Sequence, residues 1–411
     1  MNYYKTKIFT WSLFDFADTI FSMVVVSLNF PLMIKGVFGG SDLQLSISRS
    51  SAMVLVALTM PLAGRIADKF GRRLPAVIVF TALCCLATAS LGHSNSMLVN
   101  LVIFALAVYC YQSSLVFYNA VLPQISGPGR MGRVSGYGVA LGYVGTIFGL
   151  VVVGSLTGPS CYADVFALAA ILFFIFAIPF FVTVRDNSPR KINNLVEVTK
   201  ESIRELARIY SEAKAHPGIL RFLLGRFFVV EALETIIFFM AVFLKEGAGF
   251  SDSNMIFAGL TEIYMYLIIV TVFTAIGSLA WGFITEKSGP RNSLVAVVIL
   301  WIVTLAGIIL FKGKIILYVL GSLAGISLGG VWTAERPLLV NLVHDDTKLA
   351  GYFGLFALSG RMAAVIGPVI WGLTVLLFDS WGPRKYDFAI GSVLIMMIAG
   401  LVILRKVPDA R

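Results

Sequence analysis

The sequence predicts an all-α integral membrane protein of twelve transmembrane helices in two parallel six-helix repeats. Three observations carry this reading. First, 58% of the 411 residues are hydrophobic and only 13% are Asp, Glu, Lys or Arg, about half the charged share of a soluble domain. A water-soluble fold of this length could not hide so much apolar surface behind a polar exterior. Second, the apolar residues fall into twelve blocks, most of them near the ~20 residues a helix needs to cross hydrocarbon. Third, one loop motif occurs twice, at the same place in each half.

The blocks run at roughly 10–34, 47–67, 75–92, 98–122, 134–156, 164–184, 219–244, 256–283, 291–311, 314–334, 351–377 and 386–404. The break between the ninth and the tenth is the short turn at Lys312, Gly313 and Lys314, the last of which opens the tenth. The first block is too long for a cleavable signal, contains Asp15 and Asp18, and lacks a small-residue cleavage site. With an even number of spans both termini share a side. Loops on that side hold 23 of the 32 Lys and Arg, eight of them from Arg185 to Arg221. Arg49 is counted among the few basic residues of the opposite loops. This bias places both termini in the cytoplasm, with a bacterial inner membrane as the expected location.

The net charge of +10 is therefore a topological signal, and no polar segment is large enough for a nucleic-acid site. Cys84, Cys85, Cys110 and Cys161 lie in or beside apolar blocks and read as small buried side chains. His93, His216 and His344 are dispersed and form neither a metal-ligand cluster nor a catalytic pair. No phosphate-binding loop or dinucleotide loop is present at a suitable place, so neither ATP-driven transport nor a membrane enzyme is expected. No cofactor or metal is expected.

The polar stretch 185–218 divides an N-terminal half, 1–184, from a C-terminal half, 219–411. Leu195, Val198, Ile203, Leu206 and Ile209 recur at helical spacing within it. They predict an amphipathic linker helix lying along the cytoplasmic membrane surface.

The repeated motif is GRIADKFGRR at Gly64–Arg73 and GFITEKSGPR at Gly282–Arg291. Both fit G-x-x-x-[DE]-K-x-G-x-R. Two parallel repeats of this kind characterise alternating-access carriers. The glycines, Gly64 and Gly71 among them, permit a tight turn and close helix approach. Asp68 can face a neighbouring helix N-terminus while Arg72 and Arg73 hold the cytoplasmic side. Glu286 and Arg291 take the corresponding places in the second half, and Trp332 and Arg336 form a further gating candidate near the same side. The plainer reading is that the basic residues only fix topology.

At these residues the chain resembles the major facilitator superfamily, whose fold is the same pair of six-helix halves. WSLFDFADTIFS at Trp11–Ser22, FYNAVLPQIS at Phe117–Ser126, VSGYGVALGYVG at Val134–Gly145 and GYFGLFALSGRMAAVIGP at Gly351–Pro368 narrow the resemblance. They are similar to the vacuole-effluxer, or autophagy-related amino-acid permease-like, branch. Asp18 stands where that branch usually has Asn, and ERP at Glu335–Pro337 replaces a Ser-Arg-Ser element. The resemblance implies efflux of a small metabolite without naming the cargo.

Ionisable residues inside spans are expensive, so each is a functional candidate. Asp15 and Asp18 share a helical face on span one, and Glu231 and Glu234 repeat that spacing on span seven. Each carboxylate either binds a coupling proton, attracts a substrate ammonium group, or pairs with an arginine. Arg361, well inside span eleven, is the candidate for a substrate carboxylate or for a bridge to the acidic pairs. Arg226 is spaced too far from Glu234 to pair along its own helix. Glu262 is a further acidic candidate. Gln112, Tyr118 and Asn119 on span four, with Tyr137 and Tyr143 among the glycines of span five, could line a wet path or simply anchor interfaces.

The resulting expectation is a secondary active transporter, functional as a monomer in membrane lipid. It would move a small polar or zwitterionic metabolite, an amino acid or related compound, by proton-coupled alternating access. The proton is the expected coupling ion. A flippase or exporter of an amphiphilic lipid or drug is the alternative.

Overall fold

The computed structural model describes residues 2–70, 72–126, 131–157, 161–186, 216–257, 259–343 and 349–408, with positions 204, 208, 211 and 214. The apolar residues of the amphipathic linker helix expected between the halves, Leu195, Val198, Ile203, Leu206 and Ile209, lie outside the described residues, and so does Gly71. Among the described residues, eleven helices are long and apolar enough to cross a membrane, and a shorter apolar helix, Leu74–Ala89, completes twelve. The fold is all-α, built from two helical bundles.

Helix α1 runs through Asn2–Ile20, a π-helical stretch Phe21–Asn29 and Phe30–Gly36. It is followed by α2 (Asp42–Phe70), α3 (Leu74–Ala89), α4 (Met97–Ser126), α5 (Met131–Leu156) and α6 (Tyr162–Thr183). The second set is α7 (Pro217–Val242), α8 (Glu262–Ser288), α9 (Pro290–Leu310), α10 (Lys314–Leu342), α11 (Leu349–Leu377) and α12 (Lys385–Leu404). Several helices outrun the apolar blocks by a turn or more, because polar first and last turns continue the backbone hydrogen bonding that hydropathy cannot sense.

One block boundary is displaced. The block expected at 256–283 begins as a two-stranded antiparallel hairpin, β1 (Met255–Phe257) and β2 (Leu260–Thr261), and α8 starts only at Glu262. Gly259 adopts φ +79° in its turn, a conformation that only glycine adopts at little cost. The residues are apolar enough to look like a span, but the glycine and the pairing make them a hairpin.

The chain forms two compact units. The first comprises Met1–Gly40, Ser51–Ser202 and Asp252–Tyr264. The second comprises Ser41–Ser50, Ile203–Ser251 and Met265–Arg411. Each unit thus takes a short segment from the other half of the sequence: the β-hairpin joins the first, and the opening turns of α2 join the second.

In the first unit α1 packs on α5 and α6. Its α5 contact is a glycine seam: a Cβ on Gly138 would strike Asp15, on Gly142 Thr19, on Gly145 the backbone of Phe16, and on Gly149 Ile20. The Thr19 hydroxyl donates to the Gly142 carbonyl at 2.7 Å across this seam. Helices that approach so closely gain dispersion contacts that lipid cannot replace. Gly145→Ala is therefore expected to destabilise the purified protein by about 2 kcal/mol. Gly136→Ala, whose Cβ meets open space, should leave the unfolding temperature unchanged or slightly raised by alanine's better helix propensity, and equal curves for both variants would contradict the seam.

In the second unit α7 packs on α11 and α12, again with glycine at the contact: Gly367 lies against Glu231 and Thr235, and Gly360 against Arg226. Both bundles turn apolar side chains outward, among them Leu58, Leu86, Leu279 and Leu310. In a bilayer these face lipid tails at no cost. Trp11 and Trp371 are core residues, each 2% exposed. One expectation about burial changes: Cys161, expected to be buried, is exposed at the start of α6.

Candidate functional site

Arg361 stands near the middle of α11, twelve residues from its start, which at 1.5 Å per residue is about 18 Å along the axis. Among the described residues its guanidinium makes no ion pair or hydrogen bond. The bridge from Arg361 to the acidic pairs, one of the two readings of the sequence, is not formed here. An arginine at that depth is tolerable only where water or a ligand reaches it.

The span-seven carboxylates separate into two environments. Glu234 is ion-paired: Arg49 Nη2 donates to its Oε2 at 2.6 Å and Arg49 Nη1 to its backbone carbonyl at 3.0 Å. The Arg49 guanidinium also stacks on Phe238, 4.7 Å from the ring centre. Arg49 was assigned to a loop by its charge, yet it is 5% exposed and sits in the first turns of α2. Those turns are fastened to α11 as well. Asp42 accepts the Trp371 indole N–H at 2.9 Å, Ser50 donates to the Val365 carbonyl at 2.7 Å, and Ser46 donates to the Pro368 carbonyl.

Glu231, one turn before Glu234, is 2% exposed. Its Oε1 is buried and has no hydrogen-bond partner among the described residues. It packs against Gly367 of α11, where any side chain would displace it.

The other buried charge of α7 finds its partner across the bundle. Arg226 Nε donates to Glu335 Oε2 at 2.8 Å, and Arg226 Nη1 to the Phe356 carbonyl at 3.0 Å. The guanidinium carbon lies 3.6 Å from the centre of the Phe356 ring. Of the ERP element, Glu335 is thus the buried, paired residue, while its neighbour Arg336 is exposed. Trp332 is half-buried on the same helix. Sequence reasoning missed both Arg49 and Glu335. The available signal was the charge itself: each occupies an otherwise apolar helix.

In the first unit Asp18 is 5% exposed, and Asp15 lies over Gly138 beside the Tyr118 hydroxyl. Tyr118 is fully buried, stacks on Trp11 with ring centres 4.8 Å apart, and donates to the Trp11 carbonyl at 2.8 Å. These contacts place it in the packing between α1 and α4. Asn119 is exposed and its amide donates back to Leu115 of its own helix at 2.8 Å. Tyr137 is exposed and Tyr143 half-buried. Gln112 is half-buried and, among the described residues, makes no hydrogen bond. Glu262 is the first residue of α8, where its charge suits the helix N-terminus.

The two copies of the loop motif differ in how much of them is described. The Asp68 side chain lies outside the described residues, as does Gly71; a Cβ on Gly64 would make ordinary contact with Val116 at 3.7 Å. Arg72 is exposed. The backbone N–H of Arg73 donates to Asp186 at 3.0 Å, and its guanidinium donates to the Ala120 carbonyl. In the second copy Gly289 adopts φ +80°, allowing α9 to start at Pro290 immediately after α8. Glu286 is exposed, and Arg291 Nη2 donates to the Arg405 carbonyl at 2.6 Å. Both motif arginines thus bind backbone carbonyls on another helix or just beyond its end, Arg73 at α4 and Arg291 after α12.

No group of three or more His, Cys, Asp or Glu able to hold a metal occurs among the described residues. Charged groups set singly or in pairs inside apolar helices suit gating and recognition of a solute rather than bond-breaking chemistry.

The sequence pattern of the Major Facilitator Superfamily matches residues 16–312 and 258–411. The chain is 24% identical to the uncharacterized MFS-type transporter YxiO of Bacillus subtilis, over 97% of this chain and 94% of the relative. It is also 24% identical to autophagy-related protein 22-1 of Penicillium rubens, over 68% of this chain and 50% of that protein. Its fold is similar to that of a bacterial homolog to the human lysosomal transporter Spinster in an inward-facing, unoccupied conformation. The TM-score is 0.71 at 16% identity, covering 99% of this chain and 95% of that one. Twelve apolar helices in two bundles, a repeated loop motif and a family match along nearly the whole chain agree: this protein belongs to the Major Facilitator Superfamily, as a transporter of small molecules rather than an enzyme.

Proposed function

We propose that the chain exports a small polar or zwitterionic metabolite bearing a carboxylate, an amino acid or related compound, by proton-coupled alternating access. It would act as a monomer of the autophagy-related amino-acid permease-like branch, in a bacterial cytoplasmic membrane with both termini inside. The observation that carries the reading is Arg361, a mid-helix guanidinium with no partner among the described residues. A planar fork of donors at that depth suits a carboxylate presented by a solute. Glu231 is assigned the coupling proton, because a buried carboxyl group whose Oε1 has no hydrogen-bond partner, and which makes no ion pair, among the described residues is far cheaper to bury as the acid.

Flux in proteoliposomes tests this, with amino acids, peptides and other small metabolites offered with and without an imposed pH gradient. The expected result is selective, saturable flux that the gradient accelerates. Glu231→Gln should retain counterflow of substrate while losing the response to the gradient. A folded, inserted protein that moves none of these solutes would end the carboxylate reading and transfer the question to amphiphilic lipids and drugs.

A further inference from the structure

Three helices of the second unit meet at their ends in a group of cations. Helices α7 and α9 both pack on α12. Glycines bring α7 and α12 close: a Cβ on Gly225 would press on Leu404, and one on Gly400 on Val229, at 2.7–2.8 Å. The first turns of α7 and α9 therefore lie beside the point where α12 ends. Arg221 Nη1 donates to the Lys406 carbonyl at 3.3 Å, and Arg291 Nη2 to the Arg405 carbonyl at 2.6 Å. The two guanidinium groups thus satisfy carbonyls that the helix end leaves without a helical partner. In doing so they draw Arg221, Arg291, Arg405 and Lys406 together.

The protein does not neutralise this group. None of the four side chains makes an ion pair among the described residues. Helix α9 contains no carboxylate; the first on α7 is Glu231, nearly three turns beyond Arg221, and that of α12 is Asp387, at its opposite end. On α8 the exposed Glu286 and Lys287 offset each other. From Arg405 to Arg411 the sequence sets three cations against one acid, Asp409. The carbonyl contacts leave most N–H donors of both arginines unused, and Arg291 Nε is buried without a partner among the described residues. Leu224, one turn past Arg221, and Val402, one turn before Arg405, are about half exposed. The cations therefore stand on the same helix faces as side chains that meet lipid tails in a bilayer.

We infer that this end of α7, α9 and α12 binds the headgroup of an anionic phospholipid, with its acyl chains along Leu224 and Val402. Like charges gathered at one helix end repel, and an anion among them removes that cost. Guanidinium forks match phosphate oxygens in geometry as well as charge. Helix ends lie at the level of the headgroups, where basic pockets between helices take anionic lipid. Orientation in the membrane asks only for positive charge on one side. It does not ask that cations from three helices be drawn onto one helix end and set over lipid-facing side chains. Those apolar neighbours favour a lipid over a soluble anion. The site stands whether or not the cargo and proton assignments above hold.

Thermal unfolding of the purified full chain in neutral detergent tests it, with added phosphatidylglycerol, phosphatidylcholine or inorganic phosphate. Phosphatidylglycerol should raise the unfolding temperature saturably, whereas phosphatidylcholine should not. Arg405→Gln with Lys406→Gln removes two exposed charges and keeps the carbonyls that Arg221 and Arg291 bind. This double variant should raise the half-saturating phosphatidylglycerol concentration about 30-fold, roughly fivefold for each cation at a membrane surface. Its unfolding temperature in phosphatidylcholine should match the wild type. Arg384→Gln, at the opposite end of α12, should bind phosphatidylglycerol as the wild type does. Equal unfolding temperatures with the two lipids would overturn the assignment. An effect of inorganic phosphate as large as that of phosphatidylglycerol would make the cluster a soluble-anion site and overturn it too. Wild-type phosphatidylglycerol affinity in the double variant would place the lipid elsewhere, with the same consequence.

Discussion

Replacing Arg361 by alanine is expected to lower saturable transport of a carboxylate-bearing substrate by about 100-fold, the loss of one charge-assisted, desolvated contact. Arg361→Lys should recover only part of it, because an ammonium keeps the charge but not the planar fork. The same alanine variant should unfold at nearly the wild-type temperature. Arg361 has no ion-pair partner among the described residues, so its removal strands no buried carboxylate there. Binding and stability thereby separate. Wild-type flux through the alanine variant would remove Arg361 from the substrate site, and a collapse in stability would show that it serves the fold.

Arg226 predicts the opposite pattern. Arg226→Met leaves the Glu335 carboxylate, 2% exposed, without its cation, at a cost of about 3–5 kcal/mol. It also removes the stack on Phe356 and the hydrogen bond to that residue's carbonyl. The double variant Arg226→Met with Glu335→Leu should regain most of the lost stability, since a well-packed apolar pair replaces the ions without stranding either. Unfolding of the two single variants and the double variant in detergent completes the cycle. Additive losses would mean that the two side chains do not act as a pair.

These two arginines look alike in the sequence: each is a lone cation in an apolar helix. Hydropathy and the depth rule identify both as unusual, and neither assigns the role. The partner of Arg226 lies 109 residues away and that of Arg49 185 residues away. Pairing over such distances depends on how each helix is rotated and how deeply its residue sits. Arg49 was harder still, because a cation at the edge of an apolar block is indistinguishable from a loop charge that merely sets orientation. Its burial follows from the segment Ser41–Ser50 packing with the second unit, a consequence of topology rather than of local composition.

Span five shows a middle case. Its glycines are visible as a pattern that permits close approach, and Gly138, Gly142 and Gly145 do meet α1 while Gly136 does not. The pattern marks the helix, but the crossing geometry selects which glycines matter. The hairpin Met255–Thr261 was concealed for a related reason. Its apolar residues extend a span by composition, and only the positive φ of Gly259 and the pairing of β1 with β2 distinguish a turn from a helical start.

By itself the sequence determined the membrane environment, the all-α class, the twelve apolar blocks, the two-fold repeat and the superfamily. The first four rest on local hydrophobicity and spacing, which a bilayer reads directly through helix length and backbone hydrogen bonding, and the superfamily rests on the motifs that the chain shares with it, Gly64–Arg73 above all. The tertiary structure decided which charges are paired among the described residues and how Glu231 and Glu234 come to differ. Those outcomes depend on the rotation and approach of helices far apart in the chain, and no single segment encodes them.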